Sequence, residues 1–176
     1  MKLIIAVMYS DLKVYSDCKE ELIDLFGEIE KEGEEYDFDK FTKFYEKEMG
    51  KGLIKRFIVF KDPIIKNSIK EKQKIKDFPI SKLKNFENLK KIKIKTAEIE
   101  KKYSKEGKRT INLDPGYLSS SELALASFKK GTNYKEDIGG GVYLHKVLEF
   151  KDGKIIEFWH TFPDYREKKE FFLNYC

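Results

Sequence analysis

Arginine is scarce in this sequence: of 36 basic side chains, three are Arg (Arg56, Arg109, Arg166) and the other 33 are Lys. Lysine serves almost wherever a positive charge is wanted. Each retained Arg is therefore a candidate for a place where a planar fork grips a carboxylate or phosphate, or stacks on a ring. Cysteine is also sparse. Cys18 and Cys176 lie far apart with no CxxC spacing, which excludes a CxxC redox pair. In a chain without an export signal two reduced thiols are the expectation, a bridge from the C-terminus to the first helix being the alternative. No apolar run approaches the roughly 18 residues needed to span a bilayer. The N-terminal stretch Leu3–Met8 is six residues long and lacks a cleavage-site pattern, so it reads as a first strand. A soluble, cytoplasmic protein with no membrane partner is expected.

The 176 residues suit one domain, 1–176. Forty per cent are hydrophobic, enough for a sizeable core, and ten Tyr with 14 Phe argue against disorder. The net charge of +5 hides a segregation. Residues 11–48 hold 14 acids against six bases, whereas 61–108 hold 16 Lys against seven acids. The basic stretch is either a footprint for an anionic partner or a solvated face. It lacks the interleaved Arg, Tyr and Gly of RNA-binding surfaces. Weak, sequence-indifferent nucleic-acid binding is the most it predicts.

Leu3–Met8 reads as a buried strand, with Ser10 or Asp11 capping a helix in which Leu22, Ile23, Phe26 and Ile29 share a face. Gly33 is the expected end of that helix. Alternating Tyr36, Phe38, Thr42 and Phe44 predict a strand that turns at Gly50–Gly52 into a second strand, Leu53–Phe60. Residues 64–88 read as a long surface connection. Leu89, Ile92, Ile99 and Tyr103 favour a helix, although Ile92, Ile94 and Thr96 also alternate. Thr110–Leu113 is a strand running into Asp114-Pro115-Gly116, which suits a type II turn. Ser119–Glu122 offers a capping box, and Leu123–Phe128 fits helix or strand. Asp152-Gly153 between alternating segments predicts a hairpin of Val142–Phe150 with Lys154–Phe162, and Tyr165–Tyr175 a final helix. The fold class is α+β, with ferredoxin-like βαββαβ order, a mainly antiparallel sheet and a C-terminal β-hairpin and helix.

Three segments carry a resemblance: Phe44-Tyr45-Glu46-Lys47-Glu48-Met49-Gly50, Arg109-Thr110-Ile111-Asn112-Leu113-Asp114-Pro115-Gly116-Tyr117 and Thr161-Phe162-Pro163-Asp164-Tyr165-Arg166. Together they resemble the prokaryotic domain-of-unknown-function 4416 family over nearly the whole chain. Members of that family tend to carry a His-Arg pair before a Gly loop and a Glu in the strand after it. Here Tyr134-Lys135 and His145 stand at those places. The resemblance raises nucleotide binding. A P-loop is excluded, because Gly107-Lys108-Arg109-Thr110 lacks both the upstream Gly and the Gly-Lys-Ser/Thr ending, and Gly139–Gly141 has no Lys-Ser/Thr after it.

The three Arg fall in or beside the family-like segments, with Glu46, Glu48, Glu98, Glu100, Asp114 and Asp164 as candidate partners. Glu46 and Glu48, two apart on the expected strand, would share a face. The expected ligand-binding set is Arg56, Arg109, Arg166, Glu46, Glu48, Asp114, Tyr117, Tyr143 and Asp164, with the Gly139–Gly141 loop closing over it. A purely structural network of the same residues is the alternative. His145 and His160 flank the hairpin turn symmetrically and could face each other, but no metal-ligand spacing is present. Trp159 and Tyr165 are core, pocket wall or a stacking surface. Three functions remain open: a small anionic ligand, phosphorylated or nucleotide-like, bound or acted on at the Arg/Glu/Asp site; a nucleic-acid or protein-binding module using the Lys-rich 61–108 surface; and a non-catalytic structural protein. The residues name no cofactor and do not decide whether a reaction is catalysed.

Overall fold

The computed structural model describes residues 1–61 and 86–175. β1 (Lys2–Tyr9) leads into α1 (Leu12–Phe26), followed by β2 (Ile29–Glu32), β3 (Tyr36–Asp37), α2 (Glu46–Met49) and β4 (Ile54–Phe60). After 62–85 come α3 (Glu87–Tyr103), β5 (Ile111–Leu118), β6 (Glu122–Ser127), β7 (Glu136–Asp137), β8 (Tyr143–Lys151), β9 (Lys154–Glu157) and α4 (Pro163–Glu167), with a 3-10 segment at Lys169–Tyr175. The strands form one sheet in the order β2-β4-β1-β5-β6-β8-β7, with β3 on β4 and β9 on β8, and every pairing is antiparallel. The α+β class and the antiparallel sheet are as expected. No helix among the described residues is long and apolar enough to cross a membrane.

Strand parity explains the two-sided core. Leu3, Ile5, Val7 and Tyr9 of β1 point to the face covered by α1 and α3, where Leu22, Phe26, Leu89, Ile92 and Ile99 are buried. Ile4 and Ala6 point to the other face, under Tyr165 and Phe172 of the C-terminal segment. Met8 continues that face and packs with Phe38, Met49 and Leu53. Both faces are covered, which is why β1 reads as a continuous apolar run without alternation.

Several local expectations are corrected. The strand expected from Tyr36 breaks after Asp37: Phe38–Lys40 is a 3-10 turn and Glu46–Met49 a helical turn. The aromatic alternation there serves the Phe38–Met49–Leu53 cluster rather than a pleat, so Glu46 and Glu48 do not share a strand face. α1 ends at Gly27 (φ 93°), not Gly33, and the charged edge strand β2 follows. The order therefore contains one strand more than βαββαβ. Leu123–Ser127 lies in a strand, and Ser119 closes the preceding turn by accepting the amides of Ser121 and Glu122. The final helix is a short α-helix and then a 3-10 segment. The α3 helix and the β8–β9 hairpin stand, the latter turning through Asp152 (φ 52°) and Gly153 (φ 69°), the positive-φ pair that such turns require, although β9 stops at Glu157. Most of the 64–88 connection, and Cys176, lie outside the described residues. Cys18 is free and buried.

The Asp114-Pro115-Gly116 string is not a turn. β5 runs straight through it, with Pro115 opposite Ile5 of β1. Two residues earlier, the Leu113 N–H points away from β1, towards Glu100 of α3. Residue 115 has the same parity, so the N–H that proline lacks would have faced a side with no strand. β6 joins β5 only across Gly116–Leu118. At Gly116 the two backbones approach so closely that a Cβ would stand 2.2 Å from the Ala124 carbonyl oxygen, and only glycine fits. Below that point β5 and β6 splay apart.

Candidate functional site

The splay opens a cleft of about 570 Å³. Its sheet-side residues follow from register. Lys55 of β4, Met8 and Asn112 of β5 lie side by side across three strands, and Phe57, Ala6 and Asp114 form the next row. Lys93 and Glu100 of α3 reach the cleft through the gap between β5 and β6, on a helical stripe with Thr96. Both are buried, at 6% and 9% exposure. They answer the unpaired edge of β5: the Leu113 N–H donates to Glu100 Oε1 at 2.6 Å, and Lys93 Nζ donates to the Leu113 carbonyl at 3.2 Å. Two helix side chains thus stand where a neighbouring strand would otherwise bond.

Arg109, just before β5, holds Glu48 with two parallel bonds (Nε–Oε1 2.7 Å, Nη2–Oε2 2.8 Å), while Nη1 donates to Asn112 Oδ1 at 2.5 Å. The Asn112 amide passes the chain on to Asp114 Oδ2 at 2.7 Å, and Asp114 Oδ1 lies 3.6 Å from Lys93. The hydrogen bonds from Arg109 hold the Glu48 carboxyl below its ordinary range and raise the guanidinium in return. Burial pushes Glu100 the other way, upward, against the Leu113 N–H and the charge of Lys93. At the far end Lys55 donates to Asp164 at 2.6 Å, and the Tyr36 hydroxyl donates to the same oxygen at 2.9 Å. The Lys55 ammonium sits 4.8 Å from the Phe38 ring centre and 4.7 Å from that of Tyr165. Tyr165, which lines the cleft, has a buried hydroxyl with no partner among the described residues.

The rest of the wall is aromatic: Phe38, Phe41, Phe44 and Tyr45 on one side, Phe128 and Phe162 elsewhere. Phe44 is 69% exposed, and Lys129 sits 5.1 Å from its ring centre, joining the 38–45 segment to the residues after β6. Among the described residues Lys129 makes no ion pair.

Of the nine residues expected to bind ligand, Arg109, Asp114 and Asp164 line this cleft and Glu48 holds Arg109. The others do not join them. Arg56 points to the opposite face, into Tyr9, Tyr15, Glu32 and Glu35. Arg166 clamps the carbonyls of Phe158 and Trp159. Glu46 faces Lys51 on the surface. Tyr117 is buried against Glu122 and Lys135, and Tyr143 packs edge-on to Tyr134. The three arginines therefore do not meet in one place, and of them Arg109 borders the cleft. The Gly139–Gly141 loop lies near Lys90 of α3 and does not line the cleft. His145 does, its Nε2 against the Lys129 carbonyl at 2.8 Å, while His160 Nε2 meets the Lys146 carbonyl at 3.3 Å. Trp159 is exposed. No cluster of metal-ligating side chains occurs among the described residues.

The model of a domain of unknown function, DUF4416, matches residues 1–79 and 74–175. The chain belongs to this family. No curated protein and no solved structure matches it. In this DUF4416 member, Lys55 and Lys93, like Lys129, are cleft residues that sequence reasoning missed. All three hide in the lysine bias, and the only signal for Lys93 was its spacing from Thr96 and Glu100 on one face of α3.

Proposed function

We propose that the cleft binds a small anionic ligand of phosphorylated or nucleotide-like chemistry. The observation that carries this reading is convergence. Polar side chains from β4, α3, β5 and α4 meet the aromatic rings of 38–45 in one cavity. Its volume falls within the span of small-molecule sites, roughly 300–1,000 Å³. A planar ring would lie against Phe38, Phe41 or Tyr45, with its anionic group towards Lys93 and Lys129. Asn112 and Asp114 offer a donor and an acceptor for a hydroxyl. The strand order β5-β1-β4-β2, with α1 and α3 against one face, supports a ferredoxin-like core extended by β6–β9.

Calorimetric titration with nucleoside monophosphates and sugar phosphates tests the reading. At least one should bind saturably, and Lys129→Ala and Lys93→Met should each weaken it about tenfold, the scale of one lost charge-assisted bond. If the wild type binds none of them, the reading is wrong.

One observation favours a structural role instead: Lys93 and Glu100 satisfy the backbone of Leu113. On that reading the network plugs a gap in the sheet, and the same titration shows no binding. The α3 lysines give little support to a nucleic-acid surface, since Lys90, Lys95 and Lys102 pair with Glu87, Glu98 and Glu21, and Lys93 is buried.

A further inference from the structure

Glu100 is the least compensated carboxylate of the cleft. Glu48 takes two short bonds from Arg109, Asp164 takes bonds from Lys55 and Tyr36, and Asp114 takes one from Asn112. Glu100 Oε1 accepts one backbone N–H, and the guanidinium nearest to Oε2 stands 3.9 Å away. The charges around the cavity balance while Glu100 is ionised: Lys55, Lys93, Arg109 and Lys129 face Glu100, Asp114, Asp164 and the Glu48 bound to Arg109. A neutral Glu100 leaves one positive charge in excess and turns Oε2 from an acceptor into a donor.

We propose that the cleft contains a proton-coupled oxyanion subsite, in which Glu100 in its acid form donates from Oε2 to an oxygen of a tetrahedral anion held by the charge of Lys93. At a pH where the free Glu100 is ionised, each anion bound then takes up one proton from solvent. The inference rests on the cleft being an anion site. The upward push that burial exerts on Glu100 agrees with it. The titratable and charged groups facing Glu100 are Lys93 on its own helix, Arg109 and Asp114 at β5, and Cys18 of α1. Burial pushes the Cys18 thiol up to about 12, and Arg109 is raised, so neither changes charge near neutral pH.

Sulfate is the probe of choice because, as the anion of a strong acid, it stays a dianion throughout the experiment, so any pH dependence comes from the protein. At constant ionic strength its affinity should weaken about tenfold from pH 5 to pH 8, the scale of one unit charge at close range. The Leu113 amide resonance, whose N–H points at Glu100, should titrate with a midpoint above the ordinary carboxylate value, and sulfate should move that midpoint higher. In Glu100→Gln both the amide titration and the pH dependence of sulfate binding should vanish. A dependence that persists in that variant belongs to another group and overturns the assignment. Sulfate binding that ignores pH in the wild type overturns the proton coupling and leaves the anion site standing. No saturable sulfate binding at pH 5 overturns both. Should the Gln variant fail to fold, the wild-type amide titration decides alone: a midpoint at or below the ordinary carboxylate value overturns the proposal.

Discussion

Arg56 and Arg109 place the same fork on two sides of one sheet, and they differ in what the fork leaves free. Around Arg56 everything is used. Nε donates to the Tyr9 hydroxyl at 3.1 Å, Nη1 to Glu32 at 2.6 Å and Nη2 to Glu35 at 2.5 Å. The guanidinium carbon lies 4.7 Å from the centre of Tyr15, whose ring stacks on Tyr9 at 4.4 Å. Glu32 also receives Tyr15 and Lys19. Arg109 spends its fork on one carboxylate and one amide and borders a cavity. The scarcity of arginine marks where a planar fork is needed. Whether the fork serves packing or a ligand depends on the empty volume beside it, which no residue count reveals.

The contrast can be broken by stability measurements. The Arg56 side chain is 15% exposed, and Arg56→Met removes three donors and a ring contact at once, so urea unfolding should show a loss of about 2 kcal/mol. Arg109 and Glu48 are 30% and 39% exposed, and Arg109→Met should cost about 1 kcal/mol. Equal losses would erase the distinction between a clamp and a site.

Acid titration sharpens it. Burial alone would raise the Glu32 carboxyl, but hydrogen bonds from Lys19, Tyr15 and Arg56 outweigh it and hold the group below its ordinary value. The stability it contributes is present above that ordinary value and is lost as pH falls through the lower, folded one. Glu100 is raised, so its cost is absent in acid and grows as pH rises from the ordinary carboxylate value through the folded one. Melting curves from pH 3 to pH 7 should therefore show Glu32→Gln losing ground to the wild type as pH rises, and Glu100→Gln gaining it. Parallel profiles would mean that the two carboxylates sit in equivalent environments. The smallest effect belongs to Lys129, whose ammonium lies over the exposed ring of Phe44. Lys129→Ala should leave the unfolding free energy within about 0.5 kcal/mol of wild type while still weakening ligand.

Elements marked by an apolar run, a helical period or a turn signal were legible in the sequence: β1, α1 from its Asp11 cap, β4, α3 and the β8–β9 hairpin. The misreadings have separate causes. β2 has one apolar residue in four and is a strand only because β4 offers it an edge. The 38–53 excursion spends its aromatics on Met8 and Met49, a tertiary demand that imitates alternation. Pro115-Gly116 looked like a turn because the local preference is strong. It gave way because the missing N–H falls on an unpaired side and Gly116 sits where two backbones nearly touch. The site was half visible. Arg109, Asp114 and Asp164 stood out by residue type and neighbours, whereas Lys55 and Lys93 looked like any other lysine until register and helix phase turned them inward.

The Leu113 edge also bears on self-association. An unpaired strand segment is a template on which another chain can add, and proteins usually guard such edges by covering or charging them. Here the covering is chemical: one carboxylate takes the N–H, one ammonium takes the carbonyl, and both belong to a helix already fixed in the core. An incoming strand would have to displace two buried charged groups before making its first ladder bond. A sheet can in this way be split open without becoming a seed for aggregates.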